Sequence, residues 1–377
     1  MTVTQRPDAI VIGAGIVGAA CARALAADGL IVLVLDAAFA GGGTTAAGMG
    51  HLVIMDDSPE QLALTALSRD LWREMAARLP ASAEFDACGT IWVAEDEAQM
   101  DAVLEKQRVY GKHGIASEIL DARRLRQLEP NLRAGLAGGL LVPGDAVVYP
   151  PRAALSLLED ALANGATLRE SCRVDEILDR AVRCDTEIIE ANVIVNAAGC
   201  EAARLTPAMP IVPRKGHLAI TDRYPRFCRH QLVELGYLTS AHVMTSESVA
   251  FNVQPRFTGQ VLIGSSRELA GWDSSTNRRV LRRMLHRALH FMPALSDLSI
   301  VRTWTGFRPA TADTLPLIGP WTSTAGLWIA AGHEGLGITS ATGTAQLLAD
   351  LIAGRVPSID AAPYSPMRLA QHSAVSS

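Results

Sequence analysis

Asp8-Ala9-Ile10-Val11-Ile12 opens the ordered pattern as a short unbroken apolar run that ends in glycines. Small apolar residues then recur from Ile16 to Asp28, Gly29 follows, and Leu30 to Leu35 forms a second apolar run. The pattern predicts strand, helix, strand, with Gly29 as the helix stop. Ser58-Pro59-Glu60-Gln61 combines an N-cap, a proline at the first helical position and a capping-box glutamine. It predicts a helix carrying Leu64, Leu67, Leu71, Trp72, Met75 and Leu79 on one face. A further helix is predicted to start at Pro151, to bury Leu155, Leu158 and Leu162, and to stop at Gly165.

Segments 86–94, 136–149, 210–222, 231–240, 249–255 and 260–266 differ in character. They are short, rich in Val, Ile, Leu, Thr and Tyr, and punctuated by Gly and Pro, which predicts a mostly antiparallel sheet inserted into the first domain. Val193-Ile194-Val195-Asn196-Ala197-Ala198-Gly199 and Leu327-Trp328-Ile329-Ala330-Ala331-Gly332 read as returning buried parallel strands. The expected fold class is α/β: a Rossmann-like dinucleotide-binding domain (1–85, 146–211 and 309–365) with an inserted, mainly antiparallel β substrate domain (86–145 and 212–308). Residues 366–377 read as a loose tail.

Composition narrows the function classes. The chain has 377 residues, enough for two cores, and 49% of them are hydrophobic against 19% charged, which excludes a disordered chain. A net charge of −5 gives no reason to expect nucleic acid or an anionic membrane as partner, so an anion site must be local. Six cysteines without a C-x-x-C pair suit a reducing compartment, and no run approaches the roughly 20 apolar residues needed to span a bilayer. A cytoplasmic protein without secretion signal or membrane span is the expectation.

Gly13-Ala14-Gly15-Ile16-Val17-Gly18 sits between the first strand and the first helix, and Asp36 ends the next strand. In that context the first glycine permits a tight turn and the second a close approach of pyrophosphate. The third lets helix and strand pack, and Asp36 can accept hydrogen bonds from a ribose. Gly41 to His51 is a run of small and hydroxyl residues able to lie against a large flat ring. Gly332-His333-Glu334-Gly335-Leu336-Gly337-Ile338 leads from a strand into a helix predicted to reach Leu351 or Ile352 and to stop at Gly354. Its N-terminus offers a second positive dipole end.

With these motifs the chain resembles the D-amino acid oxidase superfamily, in the branch of glycine oxidase and sarcosine oxidase. The likeness extends over nearly the whole length. It rests on the N-terminal fingerprint, Ala46-Ala47-Gly48-Met49, Asn196-Ala197-Ala198-Gly199, Gly306-Phe307-Arg308-Pro309 with Asp313, Leu315-Pro316-Leu317-Ile318-Gly319 and the Gly-His-Glu-Gly-Leu-Gly run. Asp36 departs from it, since the branch more often has Glu there. The resemblance implies FAD as cofactor, with Ala47, Gly48 and Met49 beside the isoalloxazine, Val174 near the adenine, and Gly335 to Ile338 near the pyrimidine edge. Residues expected to hold FAD are Gly13, Gly15, Ile16, Val17, Gly18, Asp36 and Ala37; Gly43, Thr44, Thr45, Ala47, Gly48 and Met49; Val174, Ala197, Ala198 and Gly199; and Arg308, Gly332, His333, Gly335, Leu336, Gly337 and Ile338. Within the superfamily the chain most resembles the FAD-bearing β subunits of heteromeric D-hydroxyproline dehydrogenase and opine oxidase, and hydrogen cyanide synthase. That narrower likeness implies partner subunits.

The implied reaction is oxidation of the Cα–N bond of a small amino or imino acid (a D-amino acid, hydroxyproline, glycine, sarcosine or opine), with hydride passing to flavin N5 and an imine as product. Arg308, a planar fork held between rigid neighbours, is the expected anchor for the substrate carboxylate, as the resemblance to glycine oxidase also implies. Met49, His51 and Arg267 are the other candidate catalytic residues, Arg267 on a loop lining the substrate side; for His51, Arg267 and His333 a structural role competes. A free-standing oxidase giving H2O2, a flavin-holding electron-relay subunit and a nicotinamide dehydrogenase remain alternatives. The helix over 277–292 sets Arg278, Arg279, Arg282, Arg283, His286, Arg287 and His290 against an apolar side, and a solvated face is the default reading. No metal site is expected from the i,i+4 pair His286 and His290.

Overall fold

The computed structural model describes residues 6–236 and 247–370. Six strands form the first sheet: β1 (Ala9–Ile12), β2 (Val32–Leu35), β8 (Thr167–Arg169), β12 (Val193–Asn196), β18 (Leu317–Pro320) and β19 (Leu327–Ala331). Their order is β18-β19-β12-β1-β2-β8, parallel throughout except for β18, which runs antiparallel to β19. Both faces are covered, which is why β1 and β2 are apolar at every position. Ala9, Val11, Val32 and Val34 meet the helices Ile16–Ala27, Pro150–Ala163 and Gly337–Ile352, while Ile10, Ile12, Leu33 and Leu35 face the other way, toward Val182 and Ile189. The latter belong to an antiparallel meander of β9 (Glu176–Leu178), β10 (Ala181–Cys184) and β11 (Glu187–Glu190).

The second sheet has eight strands: β4 (Thr90–Ala94), β5 (Glu118–Asp121), β6 (Gly138–Val142), β13 (Val212–Thr221), β14 (Gln231–Glu234), β15 (Glu247–Pro255), β16 (Val261–Glu268) and β17 (Ile300–Ala310). The order is β17-β13-β16-β15-β14-β4-β6-β5, and β14 with β4 is its one parallel pair. The helix Arg278–Phe291 covers one face through Met284, Ala288 and Phe291, whose ring stacks on Phe251 with centroids 4.5 Å apart. On the other face Trp92, Leu140 and Val142 pack with Val103 and Tyr110 of the helix Glu97–Lys112. A short ladder of β3 (His51–Leu52) with β7 (Ala146–Val147) ties the two sheets at their junction.

Ser58 caps its helix as the pattern predicts, accepting from the Gln61 N–H at 3.1 Å, and Gly165 and Gly354 follow their helices in left-handed conformations. Several expectations change. The helix that begins at Pro59 ends at Met75, so Leu79 lies beyond it, and Leu162 is 41% exposed because the Pro150–Ala163 helix turns that position away from the sheet. Segment 136–149 is two strands belonging to different sheets, and β17, unread as a strand, is the longest. Its Pro309 is tolerated because β17 is the edge strand of the sheet, next to β13 in the strand order. Positions 237–240 of the predicted 231–240 strand lie outside the described residues.

The basic face of Arg278–Phe291 is not simply solvated: Arg279 and Arg283 pair with Glu247, Arg287 with Glu95 and Glu234, and His290 with Glu95. Nor is residue 366 the start of a loose end. A short helix Met367–Ala370 docks by Arg368, which makes a bidentate bond to Asp313 (2.7 and 3.0 Å) and donates to the Leu315 carbonyl. Positions 371–377 lie outside the described residues. Among those described, all six cysteines are unpaired, no helix is long and apolar enough to cross a membrane, and no cluster of His, Cys, Asp and Glu suits a metal ion.

Candidate active site

Gly13 leaves β1 in the left-handed region (φ 103°) and turns the chain into the helix Ile16–Ala27. Gly18 packs so closely beneath this turn that a Cβ there would lie 1.9 Å from the Gly13 carbonyl oxygen. The third glycine is therefore a packing requirement and, unlike the others of the motif, does not line the cavity. The first N–H groups of the helix have no intrahelical acceptor; that of Ile16 is taken by the Thr45 hydroxyl at 3.0 Å. Asp36, at the end of β2, accepts from the Ala14 N–H at 2.7 Å and the Ala38 N–H at 2.8 Å, which fixes both loops beside it.

From this turn a cavity of about 450 Å³ runs between the sheets. One end is walled by Gly15, Val17, Asp36, Ala37 and Val174, and the chain also meets it through Gly13, Ile16, Ala197, Ala198 and Gly199. Gly43, Thr44, Thr45, Ala47, Gly48, Met49 and His51 line its length, and Arg267, Arg308, His333, Gly335, Leu336, Gly337 and Ile338 line it beyond. The two glycine-marked helix starts thus open onto one cavity. Gly332 does not reach it; it turns the chain after β19, where a Cβ would meet Thr311 at 2.7 Å.

The segment 44–53 is held to the second sheet and to the helix Gly337–Ile352. Thr44 donates to the Phe307 carbonyl (2.8 Å), Trp304 to that of Ala47 (3.2 Å) and Gln254 to that of Met49 (2.9 Å). Thr339 donates to the His51 carbonyl at 2.8 Å. These bonds keep small side chains along the cavity wall where a flat group can lie against them.

Charge gathers at the end formed by β13, β16 and β17. Arg214 and Arg308 are directly opposite each other on β13 and β17, an arrangement that is destabilising for like charges unless anions lie nearby. Arg308 lies across Gly216, where a Cβ would fall 2.3 Å from its Nη1, and that nitrogen donates to the Ser266 carbonyl at 2.8 Å. Arg267, expected on a loop, is on β16 and 4% exposed; its Nε and Nη2 donate to Glu334 at 2.9 and 3.2 Å. Arg214 lies 3.8 Å from the same carboxylate. Burial raises the Glu334 carboxyl, but Arg267, Arg308 and Arg214 outweigh it and hold the group down at about 2. Two guanidiniums and one carboxylate therefore line this end of the cavity, which favours an added anion.

Burial pushes the His51 imidazole down to about 3 and that of His333 to about 4, so both are neutral rings. His51 Nε2 lies 2.7 Å from the Thr90 hydroxyl and His333 Nε2 lies 2.9 Å from that of Thr344. Glu334 and Arg214 did not emerge from sequence reasoning. Glu334 stood inside a recognised motif, whereas Arg214 carries no local signal.

Comparison with known proteins agrees with this geometry. The family profile described as FAD dependent oxidoreductase matches residues 8–351. Glycine oxidase of Pseudomonas aeruginosa is 30% identical, the match covering 95% of this chain and 98% of that protein. Hydrogen cyanide synthase subunit HcnC of the same species is 27% identical over 96% of each chain. The crystal structure of glycine oxidase from Geobacillus kaustophilus superposes with a TM-score of 0.86 at 27% identity, covering 97% of this chain and 99% of that one. A long cavity joining two helix N-termini, walled by small residues and closed by Arg267 and Arg308, fits FAD, and with a profile match over most of its length the chain belongs to the FAD dependent oxidoreductase family.

Proposed function

We propose that this enzyme oxidises the Cα–N bond of a small amino or imino acid to the imine, with Arg308 as the anchor for the substrate carboxylate. The observation that carries the reading is the cluster of Arg308, Arg267 and Glu334 in the cavity wall, where a bound carboxylate would offset the excess of guanidinium charge. The likeness to glycine oxidase supports an amino acid as donor.

When bound, FAD supplies the acceptor for the hydride that leaves Cα. Gly13, Gly15, Ile16 and Val17 would hold its pyrophosphate at the helix N-terminus, and Asp36, Ala37 and Val174 its adenosine. Ala47, Gly48 and Met49 would lie along the ring system, with the Gly335–Ile338 turn at its anionic edge. The chain's own contribution is then positioning: a planar guanidinium fixes the carboxylate, and with it the direction of the Cα–H bond. The buried wall of Trp92, Leu218 and Val233 excludes water from the same space.

The likeness to a hydrogen cyanide synthase subunit supports a place in a heteromeric dehydrogenase, in which electrons leave through partner subunits. The test is anaerobic mixing of the purified yellow protein with D- and L-amino acids, hydroxyprolines, glycine, sarcosine and opines. Bleaching of the flavin absorbance by one of these classes is the expected result; no bleaching by any of them overturns the reading. Vigorous peroxide formation by the isolated chain would replace the dehydrogenase subunit with a free-standing oxidase.

A further inference from the structure

A carboxylate anchor fixes one end of an amino acid and leaves its side chain to whatever wall it meets. Much of that wall is apolar, formed by Met49, Trp92, Leu218 and Val233. Asn252 interrupts it. We propose that the Asn252 amide binds an oxygen on Cγ of the substrate, so that the preferred donor is an amino or imino acid carrying a hydroxyl or carbonyl oxygen there. This inference rests on the amino acid reading of the site and narrows it.

Strand pairing aims the side chain. Phe251 and Val253, on either side of it in β15, pack with Met284 and Ala288 of the helix Arg278–Phe291, so Asn252 faces the opposite way, into the cavity. Its neighbours across the ladder are Val233 on β14 and Gly264 on β16. A Cβ at Gly264 would lie 2.9 Å from Leu218 Cδ2 and 3.1 Å from Met49 Sδ, so the glycine lets those two side chains close over the sheet beside the amide.

The amide is turned by its partner. Gln231 is fully buried on β14, and its Nε2 donates to Asn252 Oδ1. An amide oxygen only accepts and an amide nitrogen only donates, so the end of Asn252 left over is the donor. Asn252 is 8% exposed, and its Nδ2 has no hydrogen-bond partner among the described residues and is not enclosed by protein. Ser265 also lines the cavity, 3% exposed, with a hydroxyl that meets no partner among the described residues. Polar groups buried in this way cost stability and call for a role.

The spacing suits an oxygen on Cγ. Arg308 Nη1 reaches the Ser266 carbonyl on β16, which brings the guanidinium to that strand. Asn252 is opposite Gly264, so it lies two residues along and one strand across from Ser266. Two residues along a strand are about 6.6 Å and one strand across is about 4.8 Å, which separates the two backbone positions by roughly 8 Å. In an extended amino acid the carboxylate carbon and an oxygen on Cγ are about 5 Å apart, so hydrogen bonds at both ends can form at once. An alanine-sized side chain stops short of Asn252, and an apolar one of full length leaves its N–H groups with neither water nor acceptor.

Two readouts test the subsite. In FAD-loaded protein, 4-hydroxybutyrate and pentanoate are titrated against the flavin absorbance; they differ by a terminal hydroxyl in place of a methyl group and carry no oxidisable amine. 4-Hydroxybutyrate is expected to bind at least ~10-fold more tightly, and Asn252→Leu, nearly isosteric, to bring the ratio to about 1 or below. In anaerobic flavin bleaching, homoserine and norvaline of the same hand form the corresponding pair. Homoserine is expected to lead by ~10-fold or more at low concentration, and to lose that lead in Asn252→Leu because it suffers more than norvaline does. Should Asn252→Leu fail to take up FAD, Asn252→Ala decides. Equal affinity for the two ligands in the wild type, or an Asn252→Leu loss of the same size for both members of each pair, overturns the subsite. If no amino or imino acid bleaches the flavin, the amino acid reading fails, and the ratio of 4-hydroxybutyrate to pentanoate affinity still decides whether the subsite is built.

Discussion

Replacing Glu334 by glutamine removes one negative charge from among three guanidiniums, two of them buried, while keeping the shape of the side chain. In the native protein the carboxylate accepts two bonds from Arg267 and lies 3.8 Å from Arg214, and its pKa is brought from 4.5 down to about 2 in spite of burial. A depression of about 2.5 units, at about 1.4 kcal/mol each, corresponds to about 3 kcal/mol of folding free energy carried by the charged form. Because the folded value lies below the unfolded one, that stabilisation is complete above the ordinary glutamate pKa and is lost as pH falls through the folded value. At pH ~3.5 about 2 kcal/mol of it remains. At roughly 2 °C per kcal/mol for a chain of this size, the FAD-loaded Glu334→Gln protein should melt about 6 °C below the wild type at neutral pH. Thermal melting followed by circular dichroism from neutral pH down to about pH 3.5 measures both the deficit and its narrowing. Coincident melting at neutral pH, or a deficit that does not shrink on acidification, would refute the reasoning that Glu334 is the counter-charge of this cluster.

Arg308→Ala is expected to raise the substrate concentration needed for flavin reduction by ~30-fold or more while FAD content is unchanged, and Arg308→Lys to recover only part of that, because a point charge replaces a planar fork; titration of the reductive rate and the visible spectrum report the two effects separately. Gly18→Ala sets a methyl group 1.9 Å from the Gly13 carbonyl oxygen, so the helix must back away from the turn, and the purified protein should be colourless at cofactor concentrations that saturate the wild type. Arg368→Ala removes a bidentate bond to Asp313 and three carbonyl contacts, and should cost roughly 1–2 kcal/mol in a denaturant melt with no change in flavin reduction.

What could be read from the sequence is what depends on near neighbours. The turn at Gly13, its helix and the strand ending at Asp36 occupy one continuous stretch, and the Gly332–Ile338 turn is another, so spacing alone exposes two anion-binding helix starts. Arg308 stands out for the same reason, between a glycine and a proline. The strand around it did not, because Gly306 and Pro309 argue against a strand unless it lies at a sheet edge, and edge position is a property of the whole sheet. The charge partners were hidden more deeply. Arg267 and Glu334 are 67 residues apart, and Arg287 meets Glu95 across 192, brought together only by the strand order β17-β13-β16-β15-β14-β4. A basic helix face with its acids on distant strands therefore looks solvated from its own sequence, and a buried aspartate such as Asp145 looks like a turn residue between Gly144 and Ala146. Periodicity reports which face of an element is apolar; it carries no record of which charge will be carried to meet another. That is why most of the cofactor cradle could be anticipated from spacing, whereas the charge partners of the site, Arg214 and Glu334, had to be found in the fold.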